Sequence, residues 1–127
     1  MTIKEVSKKY DISQDTIRYY EKIGLIPKVP RNASGIRDFD EKSLKWIEFI
    51  KCMRLSGMEI ETLLRYVQLF REGKDTVLER KRLLEEQKNK LLEKQKNIST
   101  TIDRLNYKLM LYDDIIAGKR KDFMEEI

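Results

Sequence analysis

Apolar residues near the start of the chain recur at helical spacing in two short segments. The first segment follows Thr2, which forms a capping box with Glu5, and the second follows Ser13, a residue that favours the start of a helix. Gly24 is the expected stop of the second helix, because glycine readily adopts the left-handed conformation found after helix ends. The pattern predicts helix, short turn and capped helix, which is the arrangement of a helix-turn-helix.

Two further helices are predicted downstream by wider apolar stripes. Asp40 is the expected cap of a third helix, from about Glu41 to Leu55, and Gly57 separates it from a fourth. The stripe of the fourth helix consists of Ile60, Leu63, Leu64, Val67 and Phe70. We interpret these apolar residues as core packing, which is the usual role of a stripe at this spacing.

Between the two helix pairs the sequence predicts a small β wing. Residues 30–35 are rich in turn-forming types, and residues 36–39 alternate like a strand. Two short strands around Gly35 would carry Arg31 and Arg37 on either side of the tip. An arginine fork matches the oxygens of a phosphate, so both residues are candidates for contacts with a sugar-phosphate backbone.

The second half of the chain predicts one long helix. From Thr76, the expected cap, the sequence contains no Gly or Pro before Gly118, and apolar residues return every seven positions. A helix with so much exposed apolar surface needs a partner, and we expect it to pair with another helix in a coiled coil. The predicted dimer seam contains Leu84, Leu91, Ile98, Ile102, Leu105, Leu109, Tyr112 and Ile116.

The fold predicted from these patterns is mainly all-α, with a winged helix-turn-helix followed by a dimerisation helix. The domains expected are a DNA-binding domain at 1–70, a linker at 71–75, a coiled-coil helix at 76–117 and a short charged tail at 118–127. Double-stranded DNA is the expected partner, because the first turns of a recognition helix reach base edges. The predicted DNA-contacting residues are Gln14, Thr16, Arg18, Tyr19, Arg31, Arg37 and Phe39.

Composition changes this interpretation little. The net charge of +5 is modest for a nucleic-acid binder, so the placement of the arginines argues for DNA more strongly than the total charge does. No stretch approaches the roughly 18–20 apolar residues of a membrane span, and no cleavable signal opens the chain, so we expect a cytoplasmic protein without a membrane partner. One cysteine and no histidine exclude an intrachain disulfide and a Cys/His zinc site, and we expect no cofactor, no metal and no enzymatic activity.

The sequence resembles the MerR family of bacterial transcription regulators. The resemblance rests on Arg18-Tyr19-Tyr20-Glu21, Gly24-Leu25-Ile26, Arg31, Gly35, Arg37 and Phe39 in order, and continues through Arg54-Leu55-Ser56-Gly57-Met58. It implies a homodimer with an antiparallel coiled coil, an inverted-repeat operator, and regulation by distortion of promoter DNA beneath RNA polymerase. Two positions depart from the family pattern, since the family often has tyrosine at Phe39 and a Ser or Thr cap at Glu59.

The signal that controls such a regulator is left open by the sequence. The chain resembles a short form of the family without a separate effector domain, similar to its aldehyde- and electrophile-responsive single-cysteine subgroup. Cys52, near Lys45 and Glu48, is the corresponding candidate sensor of thiol-reactive stress, and a buried cysteine that only packs is the alternative. Another alternative is a small ligand bound without a covalent bond near Trp46, Tyr66 and Tyr107, and a third is an architectural coiled-coil protein without a sensor.

Overall fold

The computed structural model describes residues 1–121, and this part of the chain contains five α-helices and one 3₁₀ helix. The predicted all-α fold class is confirmed. The helices are α1 (Ile3–Tyr10), α2 (Gln14–Lys22), α3 (Glu41–Leu55), α4 (Ile60–Glu72) and α5 (Val77–Ile116), with the 3₁₀ helix at Lys74–Thr76.

The predicted helix starts at Thr2, Ser13 and Asp40 are confirmed by their hydrogen bonds. Thr2 Oγ1 accepts from the Glu5 N–H, and the Glu5 carboxylate accepts from the Thr2 N–H, which completes the capping box. Ser13 Oγ accepts from the Thr16 N–H, and Asp40 Oδ1 accepts from the Ser43 N–H and hydroxyl. The bonds from Ser43 lower the pKa of the Asp40 carboxyl. Local capping chemistry therefore sets where these helices begin.

One apolar core joins the first four helices. Ile17 from α2, Ile47 and Ile50 from α3, and Leu63 from α4 are completely buried. Leu84, predicted to lie in the dimer seam, instead packs partly buried against this core. The other buried members of the core are Val6, Tyr20, Leu25, Ile26, Val29, Phe39, Met58 and Val67.

The predicted wing is present as a tight loop, but its two strands reduce to one antiparallel bridge between Arg31 and Arg37. The Asn32 N–H donates to the Ile36 carbonyl, and Asn32 Oδ1 accepts from the Ser34 and Ile36 N–H groups. The side chain of Asn32 thus replaces ladder hydrogen bonds at the tip. Gly35 has φ of +77°, which explains glycine at this position.

Thr76 has a different role from the predicted one. Its hydroxyl donates toward the carbonyls of Leu69 and Gly73 and accepts from Arg80 Nε at 3.1 Å. The Thr76 hydroxyl therefore donates hydrogen bonds to carbonyl groups at the end of α4. As an N-cap it would instead accept a hydrogen bond from a backbone N–H of α5. The 3₁₀ turn at Lys74–Thr76 lies between the two helices.

The chain divides into two compact units, one from Met1 to Gln87 and one that begins at Lys88. The first unit includes the opening turns of α5, where Gln87 is buried and its amide donates to the Ser56 carbonyl at 3.0 Å and to the Ser56 hydroxyl at 3.1 Å. The second unit consists of the remaining turns of α5 and the residues after Ile116. Most of the predicted charged tail lies outside the described residues.

Candidate nucleic-acid interface

The outer face of α2 presents polar and aromatic side chains to solvent. Arg18 Nη1 lies 3.0 Å from a carboxylate oxygen of Asp15, and Arg18 Nη2 donates to the Gln14 side-chain oxygen at 3.3 Å. Tyr19 lies beside them with 48% of its surface exposed. An exposed ion pair of this kind contributes little to stability, so Arg18 can exchange its partner at small cost. Thr16 is half-buried, and its hydroxyl shares a hydrogen bond with that of Ser13.

The inner face of the same helix fixes its orientation. Ile17 is completely buried and Tyr20 is 8% exposed, both within the core. At helical spacing, burial of this pair places Arg18 and Tyr19 on the opposite, exposed side of α2, whereas Gln14 lies at the edge of that side and is half-buried. Helical periodicity in the sequence indicates the same inner face, since Ile17 and Tyr20 are three residues apart.

Glu21, near the end of α2, connects that helix to the wing. One oxygen of its carboxylate accepts from the Val29 N–H at 2.6 Å, and the other accepts from Arg37 Nε at 2.8 Å. Partial burial would raise the pKa of the Glu21 carboxyl, but these two hydrogen bonds and the positive charges of Arg37 and Arg31 together outweigh it and hold that pKa below its usual range. Helix α2 and the wing are therefore joined through one side chain.

This role of Glu21 was missed at the sequence level. Periodicity gives the face of α2 on which Glu21 lies, but no information about which loop atoms meet the helix. A glutamate between a buried aromatic residue and a glycine stop was the available signal, because a carboxylate near a core needs hydrogen-bond donors.

The wing arginines differ in their surroundings. Arg31 is exposed, and its Nη1 donates to the Gly35 carbonyl at 2.8 Å, across the tip. Arg37 is 24% exposed and is held by Glu21. Both guanidinium groups lie on the loop where the sequence predicted them, one braced within the tip and the other fixed to α2.

Phe39 lies in the core instead of making the DNA contact predicted for it. Its side chain is 2% exposed, and its backbone N–H donates to the Met1 carbonyl at 2.8 Å. A ring this deeply buried offers no surface to a phosphate. Its large apolar area explains the packing role.

Cys52 is exposed on α3, so the alternative of a buried packing cysteine is wrong. The residue before it, Lys51, donates from Nζ to the carbonyl of Tyr10, at the turn between α1 and α2. One turn after Cys52, Ser56 accepts the two hydrogen bonds from Gln87. The thiol therefore lies between a connection to the helix-turn-helix and a connection to α5.

Two of the three aromatic residues predicted for ligand binding line one surface cleft. Trp46 and Tyr66 contribute to a cleft of about 280 Å³, together with Phe49 and Phe70. Tyr107, the third, is not among the lining residues and is exposed on α5. The remaining lining residues are Lys42, Lys45 and Arg80.

Helices within residues 1–121 that are long enough to cross a membrane lack the continuous apolar character that crossing requires. Over the same residues, no cluster of three or more potential metal-ligating side chains of His, Cys, Asp or Glu is found.

Comparison with known proteins gives a consistent result. Residues 2–39 match the profile of the family described as MerR family regulatory protein. The HTH-type transcriptional regulator AdhR of Bacillus subtilis is 52% identical over 88 residues, which cover 69% of this chain and 63% of AdhR. This chain spans about half the length of several other curated relatives that it matches.

Two solved structures are similar over most of both chains. A MerR family transcriptional regulator from Listeria monocytogenes is 44% identical with a TM-score of 0.84, covering 93% of this chain and 89% of its own. HiNmlR, described as a MerR family regulator lacking the sensor domain and bound to promoter DNA, is 33% identical with a TM-score of 0.80, covering 91% of this chain and 92% of its own.

Proposed function

Because the chain belongs to the MerR family of regulatory proteins, we propose that it binds promoter DNA and regulates transcription. The observation that carries the proposal is the exposed outer face of α2 beside a wing that Glu21 holds to the same helix. A recognition helix in the major groove and a wing on the adjacent backbone need a fixed relative position, and this carboxylate provides it.

Base readout is assigned to the outer face of α2 and backbone contact to the wing. Gln14 and Arg18 have the amide and guanidinium groups that form paired hydrogen bonds with adenine and guanine in the major groove. Tyr19 completes this face, and half-buried Thr16 would add a hydroxyl contact from the first turn of the helix. Arg31 and Arg37 provide the phosphate contacts, where a guanidinium suits two oxygens at once.

A second copy of the chain is the proposed partner of α5. From Leu91 onward the seam residues that return at heptad spacing are mostly exposed, among them Ile98, Leu105 and Leu109. Antiparallel pairing of two such helices would bury these residues and give a two-fold dimer. The operator would then be an inverted repeat, and RNA polymerase would meet promoter DNA that the dimer has distorted.

DNA binding by the full chain can be tested by fluorescence anisotropy with the promoter beside its own gene. Arg18→Ala should lower affinity for this promoter and reduce discrimination against a scrambled duplex, because it removes a base-edge contact worth about 1–3 kcal/mol. Arg31→Ala should weaken binding to both duplexes and reduce the salt slope by about one.

Arg82→Ala on exposed α5 is the matched control and should leave both affinities unchanged. Equal binding of wild type to promoter and scrambled duplex would refute sequence readout and favour an architectural role. Promoter discrimination unchanged by Arg18→Ala would refute the assignment of α2.

Cys52 is the proposed sensor of aldehydes or other thiol-reactive compounds. Its sulfur would add to the carbonyl carbon of an aldehyde, forming a C–S bond while the carbonyl π electrons move to oxygen, which takes up the thiol proton. The product is a hemithioacetal, and no oxidant is consumed. Exposure of Cys52 gives such a reagent access.

An adduct at Cys52 can affect both neighbouring connections of α3. The hydrogen bond from Lys51 to the Tyr10 carbonyl joins α3 to the helix-turn-helix, and the bonds from Gln87 to Ser56 join it to α5. A small shift of this part of α3 would therefore reach the DNA-reading helix and α5 together.

Single-round transcription with and without methylglyoxal tests the sensor. Wild type should change promoter output and gain the adduct mass, whereas Cys52→Ser should do neither, although its promoter affinity without the aldehyde stays the same. An equal response from Cys52→Ser would refute the sensor and leave DNA regulation intact.

A further inference from the structure

Four aromatic rings line one wall of the cleft between α3 and α4. Trp46 packs edge-on against Phe70, with ring centres 5.1 Å apart, and against Phe49 at 6.2 Å. Phe49 in turn lies 5.2 Å from Tyr66. The cleft is open to solvent, and its volume of about 280 Å³ is close to the roughly 300 Å³ at which small-molecule pockets begin.

Every charged side chain that lines this cleft is positive. Lys42 and Lys45 come from α3, and Arg80 comes from the start of α5. Lys45 has an exposed carboxylate partner 4.0 Å away, Glu41, which does not line the cleft. A ligand within the cleft would therefore experience a positive field, which is strengthened by the low-dielectric aromatic wall.

The guanidinium of Arg80 is held in place by contacts within the protein. Its Nε donates to the Thr76 hydroxyl at 3.1 Å, and its guanidinium carbon lies 5.2 Å from the centre of the Phe70 ring. These two contacts use one edge and one face of the guanidinium, and the Nη groups remain as donors. A planar guanidinium held in this way matches a carboxylate with two parallel hydrogen bonds.

We propose that this cleft binds an organic anion with a flat aromatic body. The body would lie against Trp46, Phe49 and Tyr66, and the carboxylate would bind Arg80 with support from Lys42. Its role as an effector rests on the proposed function, but the binding itself does not. Such a ligand would touch α3, α4 and the first turns of α5 together, and so would fix their packing.

The sign of the charge distinguishes this ligand from the usual guest of an aromatic cage. Ring faces alone attract cations such as quaternary ammonium groups. Here three cationic side chains already surround the rings, and one occupies the face of Phe70. A further cation would be repelled, whereas an anion gains from all three.

Isothermal titration calorimetry on the full chain without DNA tests the site with three probes of similar shape, namely 2-naphthoate, neutral 2-naphthamide and cationic 2-naphthylmethylammonium. We expect 2-naphthoate to saturate at one per chain, with the amide at least about tenfold weaker and the ammonium ion weaker still. The fluorescence of Trp46, which is the single tryptophan, should change in the same titration.

Arg80→Gln should weaken 2-naphthoate about tenfold while leaving 2-naphthamide unchanged. Lys42→Gln, at an exposed position, should give a smaller loss and serves if Arg80→Gln does not fold. Arg82→Gln, on the same helix but outside this cleft, is the matched control and should bind as wild type does.

Equal affinity for the three probes, or 2-naphthoate binding that is unchanged in both Arg80→Gln and Lys42→Gln, would overturn the site. So would the absence of binding up to about 5 mM, where even a weak aromatic ligand should be detected. Binding that leaves promoter affinity and transcription unchanged would overturn the effector role alone. Failure to bind promoter DNA at all would instead refute the proposed function.

Discussion

The unit from Met1 to Gln87 and the unit that begins at Lys88 treat their apolar residues in opposite ways. In the first, four helices and the start of α5 surround a core in which Ile17, Ile47 and Leu63 have no exposed surface. In the second, Leu111 is the single buried position described up to residue 121, while Ile98, Ile102, Leu105 and Leu109 are each at least half exposed.

The difference indicates that the first unit completes its own core and the second requires another surface. An isolated helix without apolar contacts is only marginally stable in water. Single exposed leucines are common on protein surfaces, but leucine and isoleucine that recur at heptad spacing are typical of a helix that pairs with another helix. The contrast therefore predicts that changes in the first unit alter folding, whereas matched changes in the second alter association.

The largest effect is expected from two charges in the α5 seam. Leu105→Asp combined with Leu109→Asp would place four carboxylates in a two-fold interface and remove apolar burial worth about 6 kcal/mol or more. Sedimentation velocity should find monomers of this variant, whereas we expect wild type to sediment as the proposed dimer. Asn97→Asp with Thr100→Asp adds the same charge outside the seam and should remain dimeric; a dimer from the Leu105 and Leu109 variant would break the comparison.

The next effect is expected in the core of the first unit. Leu63→Ala should lower the free energy of unfolding by about 2–5 kcal/mol, because it leaves a cavity at a completely buried position. Leu92→Ala, half exposed and outside the seam, is the matched leucine and should cost less than about 1 kcal/mol. Denaturant titration measures the free energy of unfolding of both variants. Equal losses would show that the two units do not differ in how much their leucines contribute to folding.

Glu21 gives a pH dependence to the first unit. Because its folded pKa lies below the ordinary value of 4.5, its contribution to the free energy of unfolding is fully present above that value and is lost as pH falls through the folded pKa. Glu21→Gln should cost about 1–2 kcal/mol at neutral pH. The gap between wild type and variant should narrow only as pH falls from 4.5 through the folded pKa. A gap that is constant with pH would contradict the charge-based connection to the wing.

The smallest effect is expected at Gln87, the last residue of the first unit. Gln87→Met removes two hydrogen bonds to Ser56 and should lower the free energy of unfolding by about 1 kcal/mol. Gln68→Met, at an exposed position on α4, should change it by less than about 0.5 kcal/mol. If the two variants had the same free energy of unfolding, the contacts that stabilise the first unit would end before Gln87.

Local chemistry accounts for what the sequence predicted well. The starts of α1, α2 and α3 follow from Thr2, Ser13 and Asp40, whose side chains bond to amides within three residues. The buried and exposed faces of α2 follow from helical periodicity in the same way. Both kinds of signal lie within a single element, so no knowledge of its neighbours is needed.

The parts that were missed depend on contacts between distant segments. Phe39 is in the core and Glu21 binds the wing because of residues elsewhere in the fold. Leu84 fits the heptad pattern as well as Leu91 does, yet only Leu84 packs against the core of the first unit. Cys52 is exposed although it lies in a helix with a wide apolar surface, and residue type alone does not give its position.

The two contacts of Glu21 have a consequence for redesign. Glu21 fastens the loop to the end of α2 and leaves the part of the helix that carries Gln14 and Arg18 free of contacts with the loop. New side chains can therefore be introduced at the beginning of α2 without changing the position of the wing, provided that Glu21 and Arg37 are kept. Such a variant would keep the backbone of α2 and the wing and present different side chains to the bases.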